Sequence, residues 1–410
     1  MHIGRPRWKQ LILSIVWCTA ICLFATSRDK YDNALASDYF AAALVTSVII
    51  YLRLRPSFLD AAWMLGLTAA LAAFDYRVLG FEFSRIGVLS LLGCAGLLVF
   101  GVRCVWADAA DRKLLLPGLL ASALFCGSDF FAGPLLNLTT ALHPRTLDLY
   151  LLYFDGSLGF QPSFLAGELF FRAPWLHSFC MFIYVTLPFS MAVAYGNQLL
   201  RNKSFGFPMM ASFVITGPIG VLFYNLFPAS GPRHVFLSQF PLHPPIAKDF
   251  AQILLAPVPV EAYAPRNAIP SLHMAWVILA WWWSRGLSWG PRTIVLVYVI
   301  FTAIATIGVG EHYFIDLLVA LPFAVMLQAA VTFSARKGVW NKVGPVLLGL
   351  AGVLVWFAIL GWSPRLAWSS PAVPWLMIGL TLLVYLTAEQ RYCRLPEDKP
   401  EVSALSATAD

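Results

Sequence analysis

The sequence predicts an all-α, polytopic transmembrane helix bundle of roughly twelve spans. Three observations carry that prediction. Of 410 residues, 59% are hydrophobic and only 12% are charged, about half the charged share of a soluble domain. Mean hydropathy is +0.73. Apolar windows follow one another along the chain, and the loops between them alternate in basic content.

The windows fall near 10–26, 37–52, 58–74, 86–105, 114–136, 174–199, 207–227, 269–284, 292–310, 314–333, 344–361 and 372–388. The first follows Arg5, Arg7 and Lys9, the shape of a secretory signal. Because so many spans follow, it reads as an uncleaved first helix. With the N-terminus inside, one set of loops carries nearly twice the Lys and Arg of the other, including Arg53, Arg103, Arg201, Arg285, Lys342 and Arg391. The positive-inside rule makes that set cytoplasmic. Both termini are then expected in the cytoplasm of a multi-pass protein of the plasma (inner) membrane. The tail after Arg394 reads as a disordered cytoplasmic end.

The two longest connections, 137–173 and 228–268, fall on the outer side. The first is dense in aromatic residues, including Tyr150, Tyr153, Phe154, Phe160 and Phe164, and suits an interfacial or re-entrant helix. The second is rich in Pro and holds Arg233, His234, His243, Lys248 and Arg266. Long connections of this kind are often functional.

Composition also excludes. The net charge of +7 is dispersed between apolar runs, with no basic stripe, so nucleic acid is not the expected partner. The seven cysteines form no Cys-x-x-Cys pair and no zinc spacing, and read as small buried hydrophobes. His-Glu-x-x-His is absent, and no metal is expected. His143, His177, His234 and His243 read as interfacial.

Polar groups at membrane depth are costly, so clusters of them need a reason. Three clusters fall on the outer side. Phe227-Pro-Ala-Ser-Gly-Pro-Arg-His234 ends a span and brings Arg233 to the surface, where a guanidinium can grip phosphate oxygens. Arg266-Asn-Ala-Ile-Pro-Ser-Leu-His273 runs into an apolar helix, placing Ser271 and His273 near an anion-favouring N-terminus. Gly308-Val-Gly-Glu-His-Tyr-Phe-Ile-Asp316 sets His312 and Asp316 four apart, on one helical face. Alone, these read as an interfacial Arg, a helix cap and a buried His–Asp pair. Two spans separate His273 from His312 and return the chain to the same side, so all three clusters meet at one depth.

Pro270-Ser-Leu-His273 and Glu311-His-Tyr-Phe-Ile-Asp316 resemble the second and third motifs of the type 2 phosphatidic acid phosphatase superfamily, and Gly231-Pro-Arg233 resembles the first. The resemblance covers roughly residues 130–335. It implies a six-helix phosphatase-like catalytic core within 111–340, with N-terminal helices over 1–110 of unassigned role and C-terminal helices and tail over 341–410. It implies that His312 attacks phosphorus and forms a phosphohistidine, that Asp316 orients it, and that His273 is general acid and then base. Arg233 and the amides near Ser271 would hold the phosphoryl oxygens, without a metal or other cofactor.

One departure bears on the branch. The Ser-Arg pair that precedes the third-motif His in the phosphatases is replaced by Ala305-Thr306-Ile307-Gly308, and Arg266 is the candidate substitute. The Pro-Ser-Leu-His and His-Tyr-Phe-x-Asp pattern is similar to the inositol phosphorylceramide synthase branch, an inositolphosphotransferase group. The leading expectation is a phosphotransferase moving an inositol-phosphate-like or other phospho-alcohol head group from a phospholipid donor to a lipid or alcohol acceptor. A lipid phosphate or pyrophosphate phosphatase is the alternative. A membrane glycosyltransferase would use acids such as Asp29 and Asp32 in the first outer loop. A transporter would show related halves and mid-membrane charges, and the sequence has no such repeat.

Overall fold

The computed structural model describes residues 8–26, 38–80, 84–201, 205–245, 250, 253–333 and 338–393. Asp29, Asp32, Lys248 and the tail after Arg394 lie outside the described residues. The fold is an all-α membrane bundle.

Five helices come first: α1 (Trp8–Thr26), α2 (Asp38–Arg53), α3 (Phe58–Phe74), α4 (Arg85–Trp106) and α5 (Ala109–Leu142). Short polar residues start three of them. Ser57 and Asp60 form a reciprocal capping box on α3. The Ser84 hydroxyl accepts from the Gly87 amide, and Asp108 accepts from the Ala110 and Asp111 amides.

The outer connection 137–173 holds two short helices, α6 (Asp148–Ser157) and α7 (Pro162–Arg172). Next come α8 (Pro174–Val185) and α9 (Leu187–Arg201), bent by 50° at their junction. After α10 (Gly206–Leu226), the short α11 (Pro232–Phe236) carries Arg233. The strand pair β1 (Arg145–Thr146) and β2 (Val258–Pro259) is antiparallel and ties the two long outer connections together. The remaining helices are α12 (Leu272–Trp283), α13 (Trp289–Gly308), α14 (Phe314–Val331), α15 (Val339–Trp362) and α16 (Val373–Ala388).

Every expected window coincides with a helix or with the bent α8–α9 pair. Fewer of them span by length. Among the described residues eight helices are long and apolar enough to cross a membrane, or nine if the bent pair counts as one. Helices α2 and α12, of 16 and 12 residues, fall short of the about 20 residues that cross a hydrocarbon core. In α12 the cause is local. Pro270 and the capping Ser271 stop the helix from extending back through 269–271.

Helix α14 is the axis of the second half, buried at every position from Ile315 to Ala329. Helices α10, α12, α15 and α16 pack around it. In the N-terminal half α2 lies against α4 and α5, and it also packs on α9. At the end opposite the three polar clusters, Gln198 donates to the Trp283 and Arg285 carbonyls. There Arg285 grips the buried Glu389 with both terminal nitrogens, fastening the end of α16 to the α12–α13 turn.

Removing one partner of a buried ion pair costs about 3–5 kcal/mol, because the other charge stays behind. Arg285 is about a quarter exposed, so Glu389→Ala should destabilise toward the lower end of that range. The check is thermal unfolding in detergent, where a midpoint equal to wild type would dismiss the fastening role.

Candidate active site

The site rests on α6. In Asp148-Leu-Tyr-Leu-Leu-Tyr-Phe-Asp155 the two acids are seven apart, two turns of helix on one face. Both are fully buried. The Asp148 carboxylate accepts from the Ser230 amide at 3.0 Å and the Gly231 amide at 2.8 Å, fixing the loop before Arg233. The Asp155 carboxylate accepts from the Phe314 amide at 2.7 Å and the Ile315 amide at 3.2 Å, the free donors of the first turn of α14. Burial pushes both carboxyls above the usual range, and the backbone amides draw them partly back.

The two loops so held press on each other. The Arg233 amide donates to the Gly310 carbonyl at 3.0 Å. Gly231 has a positive φ of 97°, and a Cβ there would fall 2.3 Å from the Glu311 carbonyl oxygen. Only glycine fits this crossing. From α7, the Ser163 hydroxyl donates to the His312 carbonyl at 2.9 Å.

His312 is almost wholly buried. Its Nδ1 lies 2.8 Å from the Ala268 carbonyl, which can only accept, so Nδ1 carries the proton. The Asp316 carboxylate stands 3.4 Å from the same nitrogen and accepts from the Tyr313 amide at 2.8 Å. The expected Asp316 contact is therefore present, with the carbonyl as the shorter partner. The lone pair is left on Nε2, 3.3 Å from the Ser271 hydroxyl.

Ser271 stands apart from the anion cradle expected of it. Its amide donates to the Asp316 carbonyl at 3.2 Å, and its hydroxyl accepts from the Met274 amide as the cap of α12. In this arrangement it positions His312 and starts the helix.

His273 follows in the first turn of α12. Its ring stacks on Tyr184 with centroids 4.1 Å apart and planes 22° apart. The Tyr184 hydroxyl lies 3.3 Å from its Nδ1.

Arg233 is half exposed and pairs with Glu311 at 2.7 Å. The other Glu311 oxygen is 3.6 Å from His234 Nε2. Burial works to raise the Glu311 carboxyl, but the nearby His234 ring and the Arg233 charge outweigh it and hold the group below the usual carboxylate range. His234 is thus buried beneath Glu311, where an interfacial position was expected, because the tight Gly231–Pro232 turn folds it inward. Of the other histidines, His143 meets the Asn225 side chain at 3.0 Å, His177 packs on Phe170, and His243 is exposed.

Arg266 is not brought to this cluster. It is buried, and its guanidinium donates to the carbonyls of His143, Glu261 and Ala264. Those carbonyls lie in irregular chain, where the guanidinium adds its donors to the Ala264 amide on Glu261 and the Thr140 hydroxyl on Ala264.

A cavity of about 1050 Å³ opens on the cluster. Arg233, Glu311, Asn267, His273 and Tyr184 line its polar part, and the remaining wall is mostly apolar. Arg233 is the one Lys or Arg in that wall among the described residues. His312, Ser271 and Asp316 sit one layer behind it.

Residues 149–330 match the family model of the PAP2 superfamily. The matched segment runs from α6 to the end of α14 and so contains the Arg233 loop, His273, His312 and Asp316. No curated protein and no solved structure matches the chain significantly. Asp148, immediately before the matched segment, and Asp155 and Tyr184 within it, lie outside the three polar clusters of the sequence. The first two carried a signal, being the acids of one helical face in an otherwise uncharged stretch. Tyr184 carried none inside its apolar run.

A carboxyl held below its unfolded value contributes stability above that value and loses it as pH falls through the folded one. Wild type should therefore be more stable than Glu311→Gln at neutral pH, with the gap closing in acid as Glu311 takes up its proton. Unfolding midpoints of both proteins between pH 3 and pH 7 test this (about the range where glutamates titrate). A gap that does not vary with pH would dismiss the ion pair.

Proposed function

We propose that this protein is a membrane phosphotransferase that passes a phospho-alcohol head group between lipids through His312. The PAP2 superfamily match supports a phosphatase- or phosphotransferase-like lipid enzyme in general. The observation that carries the finer reading is the fixed tautomer of His312, whose Nδ1 is committed to the Ala268 carbonyl and whose Nε2 keeps its lone pair.

In the first step the Nε2 lone pair attacks phosphorus and an N–P bond forms. The bond from phosphorus to the donor lipid's oxygen breaks, and His273, starting as imidazolium, gives that oxygen a proton and is left neutral. The positive charge developing on His312 is stabilised by Asp316 beside Nδ1. In the second step His273 takes the proton of an acceptor alcohol, whose oxygen attacks phosphorus as the N–P bond breaks. Arg233 faces the oxygens of the transferring group. The Ser271 hydroxyl lies 3.3 Å from Nε2.

A diester donor is favoured by charge. Glu311 neutralises Arg233, so the polar wall has no excess cation for a dianionic monoester. A phosphatase with water as acceptor uses the same residues and is the second reading. The loop charges favour a site on the extracytoplasmic side.

His312→Ala should abolish both transfer and release of phosphate from labelled phospholipids. His273→Ala should slow them by about 10²–10⁴-fold, the usual worth of a general acid–base. A new phospholipid in the presence of a lipid alcohol marks a transferase, and free phosphate alone marks a phosphatase. Full activity in folded His312→Ala would end the phosphohistidine reading.

A further inference from the structure

The cavity is not built from the PAP2-matched segment alone. Tyr39 and Ala43 of α2, and Phe125, Leu135 and Leu136 of α5, form part of its wall, and all five precede residue 149. Tyr39 reaches the polar part. Its ring meets Tyr184 edge-on at 5.8 Å and lies 6.0 Å from the His273 ring. Ala43 and the α5 residues add apolar wall to the same cavity.

Helix α2 is held firmly where it does this. Ser47 donates to the Gly93 carbonyl at 3.0 Å, and a Cβ at Gly93 would fall 2.5 Å from the Leu44 backbone, so α2 and α4 touch backbone to backbone. The Cys126 thiol lies 3.6 Å from the Ala43 carbonyl and joins α5 to the same stack. On its other side α2 packs against α9. A small residue at position 43 leaves open the space that a large one would fill.

We infer that the N-terminal helices are part of the substrate site, with α2 and α5 forming the wall of a chamber for the hydrocarbon chain of a lipid phosphate. This inference rests on the reading of the polar cluster as a phosphoryl-transfer site. A ligand with a phosphate at one end and a chain at the other matches a wall that is polar at His273 and Arg233 and apolar along α2 and α5. The N-terminal helices then govern which chains enter, while the matched segment governs the chemistry.

The test fills the chamber. Ala43→Phe and, on the half-buried α5 face, Leu136→Trp are each purified beside wild type. Turnover is measured on one phospholipid with long acyl chains and on its short-chain, water-soluble analogue. Each variant should lower the long-to-short ratio by about tenfold, the worth of about two buried methylenes. An unchanged ratio in both folded variants would overturn the inference. Binding separates this result from failure of the chemistry. Should wild type turn over neither lipid, the phosphoryl-transfer reading falls, and retention of the long-chain phospholipid is compared by native mass spectrometry. Retention by wild type and loss in both variants would uphold the chamber, and equal retention would overturn it.

Discussion

Two buried carboxylates on a helix of ten residues hold the site in one piece. Asp148 and Asp155 lie on one face of α6, and each takes two backbone amides from a different part of the chain. One anchors the loop that brings Arg233 after α10, and the other anchors the start of α14 that follows His312. These segments are about eighty residues apart in sequence, and α6 precedes both. Each carboxyl satisfies two backbone amides, and leaving such a buried group unpaired costs about 1–3 kcal/mol. The crossing of the loops at Gly231 follows from this clamp, as does the approach of Glu311 to Arg233.

Within that frame the two histidines are held differently. A carbonyl against His312 fixes its tautomer and leaves Nε2 bare, as the proposed attack on phosphorus requires. A phenol against His273 can donate or accept and leaves that ring free to gain and lose a proton, as the proposed acid–base role requires. Asp316 adds its charge where an imidazolium would form, behind the ring and away from the cavity.

Much of the fold was legible because hydropathy and loop charge report directly on the bilayer. The windows marked the helices, and the three polar clusters marked the end of the bundle where Arg233, His273 and His312 gather. Legibility failed where a residue's partner is backbone. Arg266 looked like a phosphate ligand by type and place, yet its guanidinium is taken up by carbonyls of the irregular chain around it. Ser271 likewise serves as a helix cap and as a neighbour of His312, and neither role is visible without the turn at Pro270. Asp148 and Asp155 were hidden among aromatic residues that drew the reading toward the membrane interface. The shortness of α12 was legible in principle, since Pro270 and Ser271 are start signals inside an apolar window.

The grip of Arg285 on Glu389 also orders events in time. The two residues are 104 apart, and four helices, α13 to α16, separate them along the chain. A ribosome delivers Arg285 to the membrane with the α12–α13 turn and Glu389 only after α14, α15 and α16 have followed. Helices α12 and α13 are therefore made before the partner that fastens their turn exists.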